Sequence, residues 1–453
     1  MIDFDAYVKY SRPGPRYTSY PTAPEFSDKF SYEDYLRELK NRDASRPLSL
    51  YLHLPFCRSA CYFCGCNVIY TSKEDRKTRY MQYLQKELDL LAANLDTTAP
   101  VLQMHFGGGT PTFYCADQLD EIIKMIKAKF KNFSPEAEIS CEIDPRFLTS
   151  EQLDVLVSHG FNRISYGVQD FDERVQKEIH RIQPYEITKN AVDMARAKGI
   201  NSINMDLIYG LPYQTLDSFK ATLDKALTLS PDRLAVFNYA HVPWIKKSMR
   251  KFDEATLPSP KTKLEILKYT AEFFIKNGYK MIGMDHFAKP GDELFCALAN
   301  GTLHRNFQGY TTKGGADLIG IGLTSIGEGQ RYYAQNFKDM DEYEKALDSD
   351  VLPYCKGIYL TGDDLIRKAV IMSLMSNFAL DIKAVEAKFD IKFFEYFKDD
   401  LVELENLSEF VTVTPEKISV NETGTLIIRN IAMCFDAYLK KIPENLRRFS
   451  KTV

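Results

Sequence analysis

Long apolar segments are absent from this sequence of 453 residues. It contains no run of about 18 consecutive apolar residues, the length that a helix needs to cross a bilayer. It also lacks a basic N-terminal segment followed by an apolar stretch, the pattern of a secretory leader. These absences predict a cytoplasmic protein without a membrane span.

A surplus of positive charge is absent as well. Lysine and arginine number 58 against 62 aspartates and glutamates, which gives a formal net charge of −4. A strongly basic field is what draws a protein to nucleic acids or anionic membranes. We therefore expect no nucleic-acid partner, and a ligand that carries carboxylates would have to be bound by local arginines.

Tryptophan is nearly absent, and most cysteines are isolated. The single tryptophan, Trp244, is expected to pack in the interior. Five of the nine cysteines show no pairing pattern, which predicts free, buried thiols in a reducing cytoplasm. These five are Cys115, Cys141, Cys296, Cys355 and Cys434.

The other four cysteines lie within ten residues, directly after the apolar run 48–56; they are Cys57, Cys61, Cys64 and Cys66. Thiolates this close together on a loop after a strand are metal or cluster ligands more often than disulfide partners. The spacing C-x3-C-x2-C favours a [4Fe–4S] cluster held by three cysteines, with the fourth iron open for chemistry. The alternative is a four-thiolate zinc site that also uses Cys66.

Strand-like and helix-like segments alternate from residue 48 onward. Strands are predicted at 48–56, 101–106, 138–143, 163–168, 203–209, 234–239 and 280–284. Helices are predicted at 80–95, 118–130, 151–158, 187–198, 216–229 and 261–277. Such alternation implies parallel strands joined by right-handed crossovers. Six or seven units in a row predict an α/β fold built on a full or partial (β/α) barrel, with the site at the carboxyl ends of the strands.

The two ends of the chain depart from this alternation. Residues 11–23 are rich in proline, which favours an extended N-terminal arm. Beyond residue 358 the pattern is mainly helical, with a predicted hairpin of strands 409–413 and 417–420. We therefore predict an arm at 1–45, a barrel domain with a substrate-side extension at 46–357, and a small winged, mainly helical C-terminal domain at 358–453.

Polar residues end several of the predicted strands. Glycines 107–109 follow the second strand, where the absence of Cβ atoms lets the backbone approach a ligand closely. Glu142, Gln169 and Asp206 end the third, fourth and fifth strands. Because an unpaired buried carboxylate is costly, we interpret this set as ligand contacts near the cysteines.

The cysteine spacing followed by residues 107–111 resembles the radical S-adenosylmethionine (radical SAM) enzymes. Further segments resemble one family within them, the bacterial oxygen-independent coproporphyrinogen III oxidases. These segments are residues 15–22, 64–66, 161–171, 238–241, 304–312 and 429–436. The resemblance covers nearly the whole chain.

The resemblance implies specific roles for residues of this chain. Cys57, Cys61 and Cys64 would hold the [4Fe–4S] cluster, whereas Cys66 is not a ligand in that family. The family binds two S-adenosylmethionine molecules. The positions matching the molecule on the cluster are Tyr51, Gly108, Glu142 and Ile326. Those matching the second are Phe63, Gly109, Thr110, Gln169, Arg181, Asp206 and Ala240. Phe307 and Gln308 match a loop near the substrate.

The resemblance also implies a reaction, in which a 5′-deoxyadenosyl radical initiates oxidative decarboxylation of two propionates of coproporphyrinogen III to vinyl groups. It implies a porphyrinogen substrate, an electron donor of unknown identity and a monomer. Arg16, Arg146 and Arg305 are candidates for binding the propionates, although a structural ion pair is an equally good interpretation of each. A haem-binding or haem-modifying radical SAM relative is the alternative function.

Overall fold

The computed structural model of the protein describes residues 9–447 and 449–452. The chain divides into two compact units. The first, which we name the sheet unit, comprises Phe26–Ile266 and Gly315–Tyr359. The second, the helical unit, comprises Met1–Glu25, Leu267–Gly314 and Leu360–Val453. The division into arm, barrel and C-terminal domain stays a prediction.

Strands and helices are numbered in chain order. The strands are β1 Leu48–Leu54, β2 Phe56–Cys57, β3 Ile69–Tyr70, β4 Val101–Gly108, β5 Phe133–Ile143, β6 Arg163–Gln169, β7 Ser202–Tyr209, β8 Arg233–Asn238, β9 Lys280–Met281, β10 His286–Ala288, β11 His304–Asn306, β12 Gly309–Thr311, β13 Asp317–Ile321, β14 Ile326–Glu328, β15 Tyr332–Asn336, β16 Tyr354–Tyr359, β17 Ala379–Asp381, β18 Val411–Val413 and β19 Lys417–Val420.

The helices are α1 Tyr32–Lys40, α2 Glu74–Asn94, α3 Ala116–Lys129, α4 Ser150–Ser158, α5 Glu173–Glu178, α6 Tyr185–Ala197, α7 Leu216–Thr228, α8 Pro260–Lys276, α9 Glu293–Ala299, α10 Met340–Asp348, α11 Gly362–Asn377, α12 Ile382–Phe389, α13 Phe393–Tyr396, α14 Lys398–Glu405 and α15 Ile428–Met433. Across the described residues, no helix is both long enough and apolar enough to cross a bilayer.

The sheet unit is built on parallel strands connected by helices. Its strands follow the order β16-β15-β14-β13-β1-β4-β5-β6-β7-β8. The pairs from β13 through β1 to β8 are parallel, and β13 to β16 pair antiparallel. Within β1, Leu50, Leu52 and Leu54 are each at most 1% exposed, as strands covered by helices require. The predicted α/β fold with a partial barrel is confirmed.

The register of the parallel strands brings polar residues side by side. Tyr51 of β1 lies opposite His105 of β4, and Glu142 of β5 lies opposite Ser165 of β6. Asp206 of β7 lies opposite Gly167. Because these pairs lie toward the carboxyl ends of parallel strands, their side chains meet at one end of the sheet.

Two segments differ from the sequence-based expectations. Helix α1 lies within the stretch 1–45 that was predicted as an arm, and Ser31 and Asp34 form a capping box at its start. The strand predicted at 280–284 is wrong beyond Met281, where β9 ends and pairs antiparallel with β10. Gly283 takes a φ of +150°, which breaks the extended run.

The helical unit contains helices α11 to α15 and a three-stranded sheet of order β17-β19-β18. Its β18–β19 hairpin confirms the predicted one, with a shorter first strand. The N-terminal segment packs within this unit, since Pro13 forms a backbone bridge to Lys451 and Tyr17 donates a 2.8 Å hydrogen bond to Asp436.

Candidate functional site

The four clustered cysteines begin at the end of β2 and continue along the loop to β3. All four thiols are free. Backbone contacts hold this loop in place: Tyr62 N donates to Ile179 O (3.0 Å), and Lys246 Nζ donates to Cys66 O (2.7 Å). The Tyr62 ring also stacks on the His180 ring, with 4.9 Å between their centroids. The loop that carries the thiols is therefore fixed by the β6–α6 region and the segment after β8.

A cavity of about 240 Å³ opens beside this loop. It is lined by the cysteine loop, the glycine segment after β4 and polar residues from the ends of β5, β6 and β7. The lining residues are Cys57, Arg58, Ser59, Cys61, Phe63, Cys64, Cys66, Val68, Gly108, Gly109, Thr110, Phe113, Glu142, Ile143, Asp144, Arg146, Phe147, Ser165, Gly167, Gln169, Arg181 and Asp206. The cavity thus brings together most of the residues that the sequence singled out.

The glycine segment lies directly against the chain that leads into Cys57. Gly109 N donates to Leu54 O (2.8 Å), and Thr110 N donates to Phe56 O (3.0 Å). A Cβ on Gly109 would lie 2.7 Å from the Pro55 carbonyl carbon, so no larger residue fits this approach. The Thr110 hydroxyl lies 3.4 Å from the Cys57 sulfur.

Glu142 presents a half-exposed carboxylate to the cavity. Gly108 N donates to Oε2 (3.3 Å), and His105 Nε2 lies 3.4 Å from Oε1. Burial raises the pKa of Glu142, but the hydrogen bonds and charge of His105 outweigh that effect and lower the pKa. The carboxylate is therefore anionic at neutral pH and is suited to bind an ammonium or hydroxyl group.

Asp206 is oriented by neighbouring strand residues. Ser165 donates to Oδ2 (3.1 Å), and Asn204 Nδ2 donates to Oδ1 (2.8 Å). Gln169, at the end of β6, takes a φ of +70°. A non-glycine residue in this region is held there by its surroundings, and such strain concentrates at functional sites.

Two arginines and an aspartate form an ion-pair cluster beside Cys61. Asp144 Oδ2 accepts from Arg181 Nη1 (3.0 Å) and Arg146 Nη2 (2.6 Å). Burial raises the pKa of Asp144, but the charges of Arg181 and Arg146 outweigh it and hold that pKa below its usual value. With two cations and one anion, this cluster brings net positive charge to the sulfur of Cys61.

The thiols of the loop differ in acidity. Burial raises the pKa of Cys57 to about 12, whereas a hydrogen bond from Cys66 lowers the pKa of Cys64 to about 6. Among the described residues, no three His, Cys, Asp or Glu side chains are placed to bind one metal ion. A cubane takes its thiolates on separate irons, and the cavity, the open loop and the nearby cations fit such a group.

Some predicted residues lie outside the lining of this cavity. Tyr51 stacks on His105, with 5.9 Å between their ring centroids, and Ala240 and Ile326 are half-buried at the end of β8 and the start of β14. Phe307 and Gln308 belong to the helical unit, where they form the turn between β11 and β12. The packing role predicted for Trp244 is wrong, because this side chain is 61% exposed. The burial predicted for the isolated cysteines holds for Cys141 and Cys434 but is wrong for Cys115, Cys296 and Cys355, which are exposed.

The sequence interpretation missed Asp144, which forms ion pairs with Arg146 and Arg181 in the cavity lining. The signal was available, because Asp144 directly follows the last residue of β5. Arg146, a candidate for propionates or for a structural ion pair, forms an ion pair with Asp144, and its Nη2 lies 3.9 Å from the Cys61 sulfur.

Comparison with known families agrees with this geometry. The model of the Radical SAM superfamily matches residues 51–226, which contain the cysteine loop and the cavity lining. The model of the HemN C-terminal domain matches residues 360–427. The fold and site define a radical SAM enzyme, a class that uses a [4Fe–4S] cluster and S-adenosylmethionine.

Relatives that match over their full length indicate one family within this class. An oxygen-independent coproporphyrinogen III oxidase of Helicobacter pylori strain J99 is 55% identical over 100% of this chain and 99% of its own length. The enzyme of that name from Escherichia coli K12 is 46% identical over the same shares. The solved coproporphyrinogen III oxidase (HemN) of Escherichia coli superposes with a TM-score of 0.92, at 46% identity, covering 96% of this chain and 99% of that chain. The chain belongs to the oxygen-independent coproporphyrinogen III oxidase family.

Proposed function

We propose that this protein converts coproporphyrinogen III to protoporphyrinogen IX without oxygen, in haem biosynthesis. In each of two rounds, one propionate gives a hydrogen atom from its β-carbon to a 5′-deoxyadenosyl radical, which becomes 5′-deoxyadenosine. The substrate radical then releases CO2, passes one electron to an external acceptor and becomes a vinyl group. The observation that carries this proposal is full-length similarity to oxidases of this name, combined with the cysteine-lined cavity. A haem-binding or haem-modifying role is not favoured, because the relatives that match end to end share the oxidase name.

The proposed roles of the site residues follow from their chemistry. When bound, the reduced cluster supplies the electron that cleaves S-adenosylmethionine to methionine and the 5′-deoxyadenosyl radical. Cys57, Cys61 and Cys64 are the proposed ligands, with Cys66 outside the ligand set. The anionic Glu142 is placed to hold a methionine ammonium, and the Asp206 carboxylate to accept hydrogen bonds from a ribose.

We also propose that the protein binds a second S-adenosylmethionine molecule. Gly109, Thr110 and Arg181, assigned to that molecule by resemblance, line the same cavity as Gly108 and Glu142. Equilibrium dialysis of the reconstituted protein with labelled S-adenosylmethionine tests this, since two molecules per chain are expected. We further propose that the protein is a cytoplasmic monomer supplied by an external electron donor. Light scattering tests the monomer.

The experiment that tests the function is an anaerobic assay of the reconstituted protein with coproporphyrinogen III, S-adenosylmethionine and a reductant. Formation of protoporphyrinogen IX together with 5′-deoxyadenosine, both lost in Cys61→Ser, is the expected result. Formation of 5′-deoxyadenosine without decarboxylated product, or tight haem binding without turnover, would overturn the proposal.

A further inference from the structure

The helical unit holds a second cationic cluster, around Asp285. Arg16 Nη1 lies 3.4 Å from Asp285 Oδ2, and His286 Nδ1 lies 2.7 Å from Oδ1. Burial raises the pKa of Asp285, but His286, Arg16 and Arg305 together hold it well below its usual range. Asp285 is therefore an anion that pairs with Arg16 and feels the charge of Arg305, so these three groups together carry net positive charge.

A third arginine of this cluster, Arg429, is fully engaged with the backbone. It donates to Pro15 O (2.9 Å), Lys451 O (2.8 Å) and Ser450 O (3.1 Å), and also to Gly14 O. Burial and the charges of Arg16 and Arg305 lower its pKa to about 9. Arg429 thus serves as a positioning residue, because it fixes the segment that presents Arg16.

The turn region 305–312 carries polar atoms that are shielded from solvent and have no partner. Among the described residues, nothing forms a hydrogen bond with Arg305 Nε and Nη1, Gln308 Oε1 or Thr312 Oγ1. Native proteins leave few buried polar atoms unsatisfied, and strain, a functional role, water or an ion accounts for those that remain. Four such atoms within eight residues indicate a site for a polar group.

The Arg305 guanidinium is held in a defined orientation. Its central carbon lies 4.6 Å from the centroid of the Tyr310 ring, and that ring packs edge-on against His286 at 5.0 Å. The Tyr310 hydroxyl donates to Met375 O (3.3 Å). A guanidinium stacked on a fixed ring is held in one orientation, from which its N–H groups can donate charge-assisted hydrogen bonds to a carboxylate.

We propose that Arg305 and Arg16, with the side chains of Gln308 and Thr312, form a carboxylate subsite that holds a propionate of the tetrapyrrole substrate. This inference rests on the function proposed above. Arg305 supplies free N–H donors, Arg16 supplies charge opposite Asp285, and Thr312 supplies a hydroxyl. Two further acids contact the N-terminal segment: Asp436 accepts from Tyr17 and from Leu439 N, and Glu409 pairs with Lys9.

Binding of coproporphyrin III, the stable oxidised form of the substrate, tests the subsite by fluorescence titration of the reconstituted protein. Loss of one charge-assisted pair predicts a dissociation constant roughly 10- to 100-fold higher in Arg305→Gln. Arg305→Lys and Arg16→Lys keep the charge and are expected to bind with intermediate affinity. Lys276→Gln removes an exposed cation of the same unit and is expected to bind like the unaltered protein.

The tetramethyl ester of coproporphyrin III separates carboxylate recognition from general loss of structure. The Arg305→Gln variant should bind this ester as the unaltered protein does, with unchanged iron content and melting temperature. Equal affinity of Arg305→Gln and the unaltered protein for the free acid, or an equal loss for acid and ester, would overturn the subsite. An unaltered protein that binds the acid but yields no protoporphyrinogen IX would instead overturn the proposed function alone.

Discussion

The Nη1 atom of Arg181 lies 3.6 Å from the sulfur of Cys61, and Arg146 Nη2 lies 3.9 Å from the same sulfur. Both guanidinium groups are paired with Asp144, which keeps them in place. Positive charge and N–H donors near a cluster thiolate stabilise the reduced state, because reduction adds negative charge. A cluster bound through Cys61 would therefore have a higher reduction potential beside these two arginines than without them.

Replacing Arg146 tests this effect, because Arg146 is not among the proposed S-adenosylmethionine contacts. Arg146→Gln is expected to lower the midpoint potential by on the order of 50 mV, about 1 kcal/mol for a one-electron couple. Arg146→Lys is the matched control. It should lower the midpoint potential less than Arg146→Gln does, because lysine keeps the positive charge. The measurement is a redox titration followed by electron paramagnetic resonance. An unchanged potential in Arg146→Gln would contradict the argument.

The proposed ligand set predicts that serine variants of Cys61 and Cys66 differ in their ability to bind the cluster. Cys61→Ser is expected to lose the iron chromophore after reconstitution, whereas Cys66→Ser should retain it, because only three thiolates hold the cluster. Iron, sulfide and zinc analysis with visible spectra provides the measurement. A four-thiolate zinc site would instead show zinc in the unaltered protein and its loss in both variants.

Main-chain atoms lie so close to Gly109 that a side chain at this position is predicted to lower the unfolding free energy. In Gly109→Ala the new Cβ would lie 2.7 Å from the Pro55 carbonyl carbon and 2.8 Å from Leu54 O, both main-chain atoms. We expect a loss of about 1–3 kcal/mol in unfolding free energy, together with poorer iron incorporation. Gly65→Ala is the matched control, because no atom lies within 4 Å of a Cβ at that position. Denaturant titration of both variants measures the difference, and equal stability would refute the packing argument.

His53 predicts a dependence of stability on pH. Burial lowers the pKa of His53 from 6.5 to about 4. Between these two pH values the ring is neutral in the folded protein but protonated in the unfolded chain. The contribution of the neutral ring to the unfolding free energy is fully present above pH 6.5. It is lost as the pH falls toward 4, by roughly 3 kcal/mol in total.

The variant His53→Gln removes this titration. Between pH 7 and pH 4.5 its unfolding free energy should fall less steeply than that of the unaltered protein. Denaturant unfolding at both pH values, in the protein without iron, measures the two slopes. Parallel slopes would show that His53 does not titrate on unfolding.

Local sequence patterns determined much of the sheet unit. The alternation of strand and helix periodicities predicted the parallel order, because each element buries its own apolar face. The capping box of Ser31 and Asp34 also marks the start of α1, although the proline-rich segment before it favours an extended arm. The exposure of Trp244 could not be predicted from the sequence, because residue type alone does not decide whether a side chain is buried.

The sequence by itself determined the class of chemistry: the spacing of Cys57, Cys61 and Cys64 favours a cluster, and the resemblance that these cysteines and residues 107–111 carry implies the cofactor. Only the tertiary structure decided which charges meet the thiols. Arg146 and Arg181 stand 85 and 120 positions from Cys61 along the chain. Parallel strand register and the fold of the loops bring them together, because interaction energy depends on distance in space and burial, which no local pattern records.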